Sequence, residues 1–179
     1  KFLHYQANTL LVNNIEFDHA DIYADLDAII HAFRLAVEMV APNDVIVANG
    51  DDANVRPLKS SAKGRWFTFG SEKTDDIYAT DIEFAPDSTS FTAFWEGKKW
   101  FRFKTNLSGR HNVLNALAVI AIARMRSCSA EDIQKGLESL LGITSRMEVR
   151  GIERGVTGLE DFANTTTHMS TPLTSTRTP

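Results

Sequence analysis

A single cysteine in 179 residues leaves Cys128 without a partner in the chain, so no disulfide staples this fold. That scarcity fits a reducing, cytoplasmic compartment, with Cys128 expected to serve as a small apolar filler. A domain of this size can bury a core without covalent help. Long apolar runs are also missing. The longest, residues 113–123, is roughly half of what a bilayer span needs and is interrupted by Asn115, which predicts a buried helix and no membrane partner. Positive charge is in short supply, with 19 Lys and Arg against 23 Asp and Glu. The net charge of −4 forms no basic stripe, which argues against nucleic acid. Lys1-Phe2-Leu3-His4-Tyr5 has neither an initiator Met nor the apolar core of a signal peptide, so the sequence reads as starting inside a longer protein. No internal repeat is visible.

What is present reads as α/β. Thr9-Leu10-Leu11-Val12 is a short apolar run that ends in Asn13-Asn14, the pattern of a strand buried on both faces. Ile22, Leu26, Ile29, Ile30, Phe33, Val37 and Val40 recur at three- and four-residue intervals and draw one apolar stripe on a helix that Pro42-Asn43 ends. A second buried strand, residues 44–51, completes a βαβ unit. From Trp66 to Phe103 the texture turns β-branched and aromatic, with Glu96-Gly97 between two strand-like runs. This predicts an antiparallel hairpin in a small side sheet. Residues 113–125 predict an Ala- and Leu-rich helix packed on several sides. Ser129-Ala130-Glu131-Asp132 is a capping signal for another helix, which Gly142 should stop. Residues 147–151 and 156–161 predict two short strands opening a new unit. After Ala163 a Ser-, Thr- and Pro-rich tail has few side chains with which to build a core, and disorder is expected.

Three places could carry chemistry. Asn14, Asp18, His19 and Asp21 crowd the turn after the first strand, where open α/β sheets bind ligands. They could hold a metal or phosphate. Equally, Asp18 and Asp21 could cap the next helix while His19 makes an ordinary hydrogen bond. Asn112 and Asn115 lie three apart and share a helix face. Each amide can donate to and accept from an adenine edge at once, or both can be satisfied within the core. Arg146 follows a Gly-Ile-Thr-Ser turn and could grip a phosphate by two parallel hydrogen bonds, or stand as a surface arginine.

Taken together, these segments resemble the Mur ligases over nearly all of residues 1–163. Asn13-Asn14-Ile15-Glu16-Phe17-Asp18-His19 is similar to the family's Asn-x-x-x-Asp-His segment, which implies His19 as a contact to Mg²⁺ near the ATP γ-phosphate, with Asn14 and Asp18 supporting it. Gly109-Arg110-His111-Asn112-Val113-Leu114-Asn115 resembles the adenine-binding helix start, implying His111, Asn112 and Asn115 as nucleotide contacts. Arg146 matches an arginine that approaches the nucleotide, and Asp161, in Glu160-Asp161-Phe162-Ala163, matches a position near the ribose. The resemblance implies ATP and Mg²⁺ as cofactors. It also implies carboxylate activation through an acyl phosphate, with UDP-N-acetylmuramate and a peptide or amino-acid amine as substrates.

Glu16 to Asp21 and Arg146 to Gly151 look most like the branch that attaches L-alanyl-γ-D-glutamyl-meso-diaminopimelate in peptidoglycan recycling. The L-alanine-adding branch is the alternative. The expected organisation is a partial central ATP-binding domain at 1–145, the start of a C-terminal ligase domain at 146–163, and a tail at 164–179. The family continues His-His-Pro where this chain reads Asn164-Thr165-Thr166-Thr167, as a displaced reading frame would produce. No Gly-x-x-Gly-Lys-Ser/Thr loop is present, and Gly97-Lys98-Lys99 falls in the hairpin turn. The phosphate cradle is therefore missing, and the chain alone is expected to be inactive. Two readings of other classes stand beside this one: a metal-dependent hydrolase using Asp18, His19 and Asp21, and a non-catalytic interaction module presenting the aromatic hairpin.

Overall fold

A computed structural model describes residues 6–17, 22–85 and 88–140, and the backbone of two strands at 148–153 and 156–160. Six strands form one mixed sheet in chain order: β1 Thr9–Val12, β2 Val45–Asn49, β3 Arg65–Gly70, β4 Ile77–Ala85, β5 Ser88–Trp95 and β6 Lys98–Thr105. Strands β1 to β3 run parallel, with Val12 opposite Ala48 and Ala48 opposite Thr68. Helix α1, Leu26–Glu38, is the crossover between β1 and β2, and Asp25 caps it by accepting the Ala28 N–H at 2.8 Å. Asp25 is thus the cap of this helix, while Asp18 and Asp21 lie outside the described residues.

The aromatic hairpin forms as expected, with Glu96 and Gly97 both at positive φ in its turn. It is not a separate side sheet. Strand β4 pairs in parallel with the end of β3 through Phe69 opposite Ile77 and Gly70 opposite Tyr78, and then antiparallel with β5. Two residue pairs thus continue the parallel sheet into the antiparallel one. The α/β class stands, with a mixed sheet.

Alternation along β2 sends side chains to two cores. Val47 joins Phe67, Phe69, Phe91, Phe103 and Leu117 on the side covered by α2, Arg110–Met125, and α3, Ala130–Glu138. Ile46 and Ala48 join Val12, Ile29, Val37 and Leu58 on the side covered by α1 and a 3₁₀ turn at Arg56–Ser61. Helix α2 is buried along Val113, Ala116, Leu117, Ile120 and Ala121, but Val119 is exposed, so it is not covered all round. Ser129 caps α3 as its sequence predicts, accepting the Asp132 N–H at 3.1 Å. Cys128 does not fill the core; it is exposed in the link between these helices. No helix among the described residues is long and apolar enough to cross a membrane. Strands β7, Glu148–Glu153, and β8, Val156–Glu160, pair antiparallel as a separate two-stranded sheet.

Candidate functional site

Parallel strands aim their C-terminal ends at one edge of the sheet, and the polar residues that follow β1 and β2 meet there. Asn13, one residue past β1, donates from Nδ2 to Asn115 Oδ1 at 3.1 Å and so ties the strand end to the first turns of α2. The next residues are strapped to the loop after β2. The Ile15 N–H donates to Asp52 Oδ2 at 3.1 Å, and Asn54 Nδ2 donates to the Ile15 carbonyl at 2.8 Å. Asp52 Oδ1 also receives the N–H groups of Asn54 and Val55. Asn14 is exposed at the same turn, with its Nδ2 on Glu16 Oε1 at 2.8 Å.

Helix α2 begins at Gly109, whose φ of 102° is a conformation that L side chains rarely adopt. A Cβ there would stand 2.8 Å from Cε1 and 3.0 Å from Nδ1 of His111. The glycine thus permits both the sharp entry to the helix and the approach of the imidazole. Asn112 donates from Nδ2 to the Ser108 carbonyl at 2.7 Å, and this fixes its carboxamide. One N–H and the Oδ1 of Asn112 remain without a hydrogen bond among the described residues. Those are the donor and the acceptor that pairing with an adenine edge requires. Asn115 is exposed and has its oxygen committed to Asn13, which leaves it as a donor. The two amides are neither buried nor bonded to each other.

The structure therefore brings Asn14, His111, Asn112 and Asn115 to one edge. Asp18, His19, Arg146 and Asp161 lie outside the described residues. Asn13, Asp52 and Asn54 are additional members that sequence reasoning passed over. Their signal was the polar stretch at each strand end, Asn13-Asn14 and Asn49-Gly50-Asp51-Asp52-Ala53-Asn54. Among the described residues no group of three or more His, Cys, Asp or Glu side chains could hold a metal ion.

Near this edge, Asp75 is buried between the ends of β2 and β3, and its Oδ2 accepts the Glu72 N–H at 3.2 Å. Burial pushes its carboxyl above the ordinary carboxylate range against the pull of that N–H, and the charges of Asp51 and Asp76 add to the push.

The family described as "Mur ligase middle domain" matches residues 3–123. The chain is 33% identical over 173 residues to a protein of Clostridium botulinum (strain Loch Maree / Type A3) named "UDP-N-acetylmuramate--L-alanine ligase". The alignment covers 96% of this chain and 38% of that protein. A crystal structure of MurF from Acinetobacter baumannii superposes with a TM-score of 0.83 at 25% identity, covering 97% of this chain and 38% of that one. The ligase for L-alanyl-gamma-D-glutamyl-meso-diaminopimelate from Neisseria meningitides gives a TM-score of 0.68 at 35% identity, covering 80% of this chain and 43% of that one. The chain thus spans about two fifths of the length of the proteins it matches.

Proposed function

Because the chain belongs to the Mur ligase family through its middle domain, we propose that it is the adenine-facing part of an ATP-dependent ligase that makes an amide bond to UDP-N-acetylmuramate. The observation that carries this reading is the Asn13 to Asn115 bond, which holds the end of β1 against the helix start where Asn112 keeps a donor and an acceptor unused among the described residues. In the complete protein ATP would phosphorylate the sugar's carboxyl group, an amine would attack the acyl phosphate, and phosphate would leave. Mg²⁺ would supply charge stabilisation of the transferring phosphoryl group, with His19 as its proposed contact, Asn14 and Asp18 supporting it, and Arg146 and Asp161 meeting the nucleotide.

L-Alanine is the proposed amine, since the curated relatives at 33% and 34% identity carry that specificity in their names. The tripeptide L-alanyl-γ-D-glutamyl-meso-diaminopimelate is the second reading, favoured by the 35% identity to the Neisseria ligase. A hydrolase built on Asp18, His19 and Asp21 is disfavoured because the family matched over residues 3–123 is that of the Mur ligases and the named relatives are ligases. An interaction module built on the aromatic hairpin is disfavoured because Phe91 and Phe103 are fully buried.

The chain alone contains no phosphate loop, so it should bind adenosine and ADP with similar, weak affinity and release no phosphate from ATP. Calorimetry with both ligands and a phosphate-release assay test this. Turnover by the chain alone, or ADP bound much more tightly than adenosine, would overturn it. Phosphate release by the complete protein in the presence of L-alanine or of the tripeptide decides between the two amines.

A further inference from the structure

At the far end of α2 a different arrangement forms beneath the hairpin turn of β5 and β6. Arg124 lays its guanidinium against two indoles, with Cζ 3.9 Å from the ring centroid of Trp100 and 4.5 Å from that of Trp95. The two tryptophans meet edge to face at 6.0 Å, and Trp95 also packs at 4.7 Å on the fully buried Phe67, so the cage is anchored in the core. Ring faces attract a cation, but they do not replace an acceptor in the guanidinium plane. Nη1 of Arg124 is shut off from water and has no hydrogen-bond acceptor among the described residues. A buried donor left unpaired in a folded protein calls for an explanation, and an acceptor supplied from the cleft is one.

The surroundings say what kind of partner. An open cleft of about 420 Å³ is lined by Trp95, Glu96, Lys98, Lys99, Trp100 and Arg124. Its one carboxylate, Glu96, is already paired with Arg65 at 3.0 Å. Three cations therefore face the cleft in a chain whose net charge is −4, beside two large flat rings.

We propose that this cleft binds a small ligand that carries a carboxylate on a flat apolar body. The carboxylate would meet the ammonium groups of Lys98 and Lys99 and draw the guanidinium of Arg124 toward the cleft, so that Nη1 gains its acceptor, and the body would lie against the tryptophans. Arg124 is twelve residues from Asn112, about 18 Å along the helix axis at the usual rise per residue, so the cleft is distinct from the adenine-facing edge and its occupancy is independent of the reading above.

The chain's three tryptophans give three indole N–H signals in an NMR spectrum. Trp66 packs in the opposite core, on the α1 side, and serves as an internal control. Sodium benzoate, titrated at constant ionic strength, should shift the Trp95 and Trp100 signals saturably and leave Trp66 in place. Benzamide, which has the same ring without the charge, should bind roughly tenfold more weakly or worse, the factor worth about 1.4 kcal/mol. Arg124→Gln should abolish the effect. The double variant Lys98→Ala, Lys99→Ala should weaken it several-fold. Both lysines are exposed at the start of β6, so this second variant keeps its fold and decides the matter should Arg124→Gln fail to fold. No saturable shift with benzoate, equal binding of benzamide, or unchanged binding by the lysine variant would each overturn the proposal.

Discussion

A buried carboxylate near the strand ends makes pH a probe of single residues. Asp75 holds its proton more firmly in the folded chain than in the unfolded one, because burial disfavours its charge. Stability drawn from that proton is complete below the ordinary carboxylate range and is lost as pH climbs through the raised folded value. At neutral pH the Asp75 charge is therefore a cost. Asp75→Asn keeps an acceptor for the Glu72 N–H and removes the charge, so its unfolding midpoint should exceed the parent's at pH 7. The gap should narrow as the buffer is taken down to pH 4. Thermal melts at the two pH values check this, and a variant less stable than the parent at pH 7 contradicts it. Asn13 and Asn115 make a second case at this scale. Their bond is exposed, so a double-mutant cycle to alanine should return a coupling of about 0.5–1 kcal/mol, the lower part of the range for a neutral hydrogen bond. A coupling indistinguishable from zero would mean that the strand end and the helix are held together by packing alone.

Elements fail at their ends before they fail in the middle. Gly109→Ala meets two penalties at once, a φ of 102° and a Cβ pressed onto the His111 ring. It should cost about 1–3 kcal/mol in a urea melt and should also move the His111 ring resonances. A neutral result would show that the helix start can rebuild itself around a side chain. Ser129→Ala removes the cap of α3 and should cost about 1 kcal/mol. These two starts differ in how far sequence revealed them. The cap at Ser129 is local chemistry, written in four consecutive residues, and so was legible. The same holds for the β1 to α1 to β2 order and for the Glu96-Gly97 turn, where alternation and turn residues act over short range. The joining of β4 to β3 was not legible, because it rests on two residue pairs brought together by a loop whose geometry depends on Asp76 receiving the Thr68 N–H at 2.7 Å. The contact between Asn13 and Asn115 spans 102 positions, and no periodicity encodes such a pairing. Cys128 misled for a related reason. Its residue type favours burial, but it follows Ser127, whose φ of 64° turns the chain outward between two helices.

The sheet as a whole is covered unevenly. Strands β2 and β3 are shielded on both faces, but β1 stands at the edge of the sheet with only four residues paired on one side. Leu10 and Val12 turn into the α1-side core, so Leu11 between them turns to the α2 side, where it is 39% exposed. On α2 itself Val119 is 54% exposed. An open strand edge with apolar side chains beside it is a template for pairing with another chain. The 179-residue chain should accordingly self-associate at high concentration, and the association should run through β1. Leu11→Lys with Val119→Lys places two charges on the α2 side at exposed positions, and surface changes of this kind shift stability by about 0.5 kcal/mol each. Light scattering should therefore show the double variant monomeric at concentrations where the parent grows, with the two melting curves nearly superimposed. Growth that persists in the variant would move the sticky surface elsewhere. The other edge strand, β6, is the next candidate. Its Lys98, Lys99 and Lys104 already supply the charges that β1 lacks, so β1 is the more adhesive of the two edges.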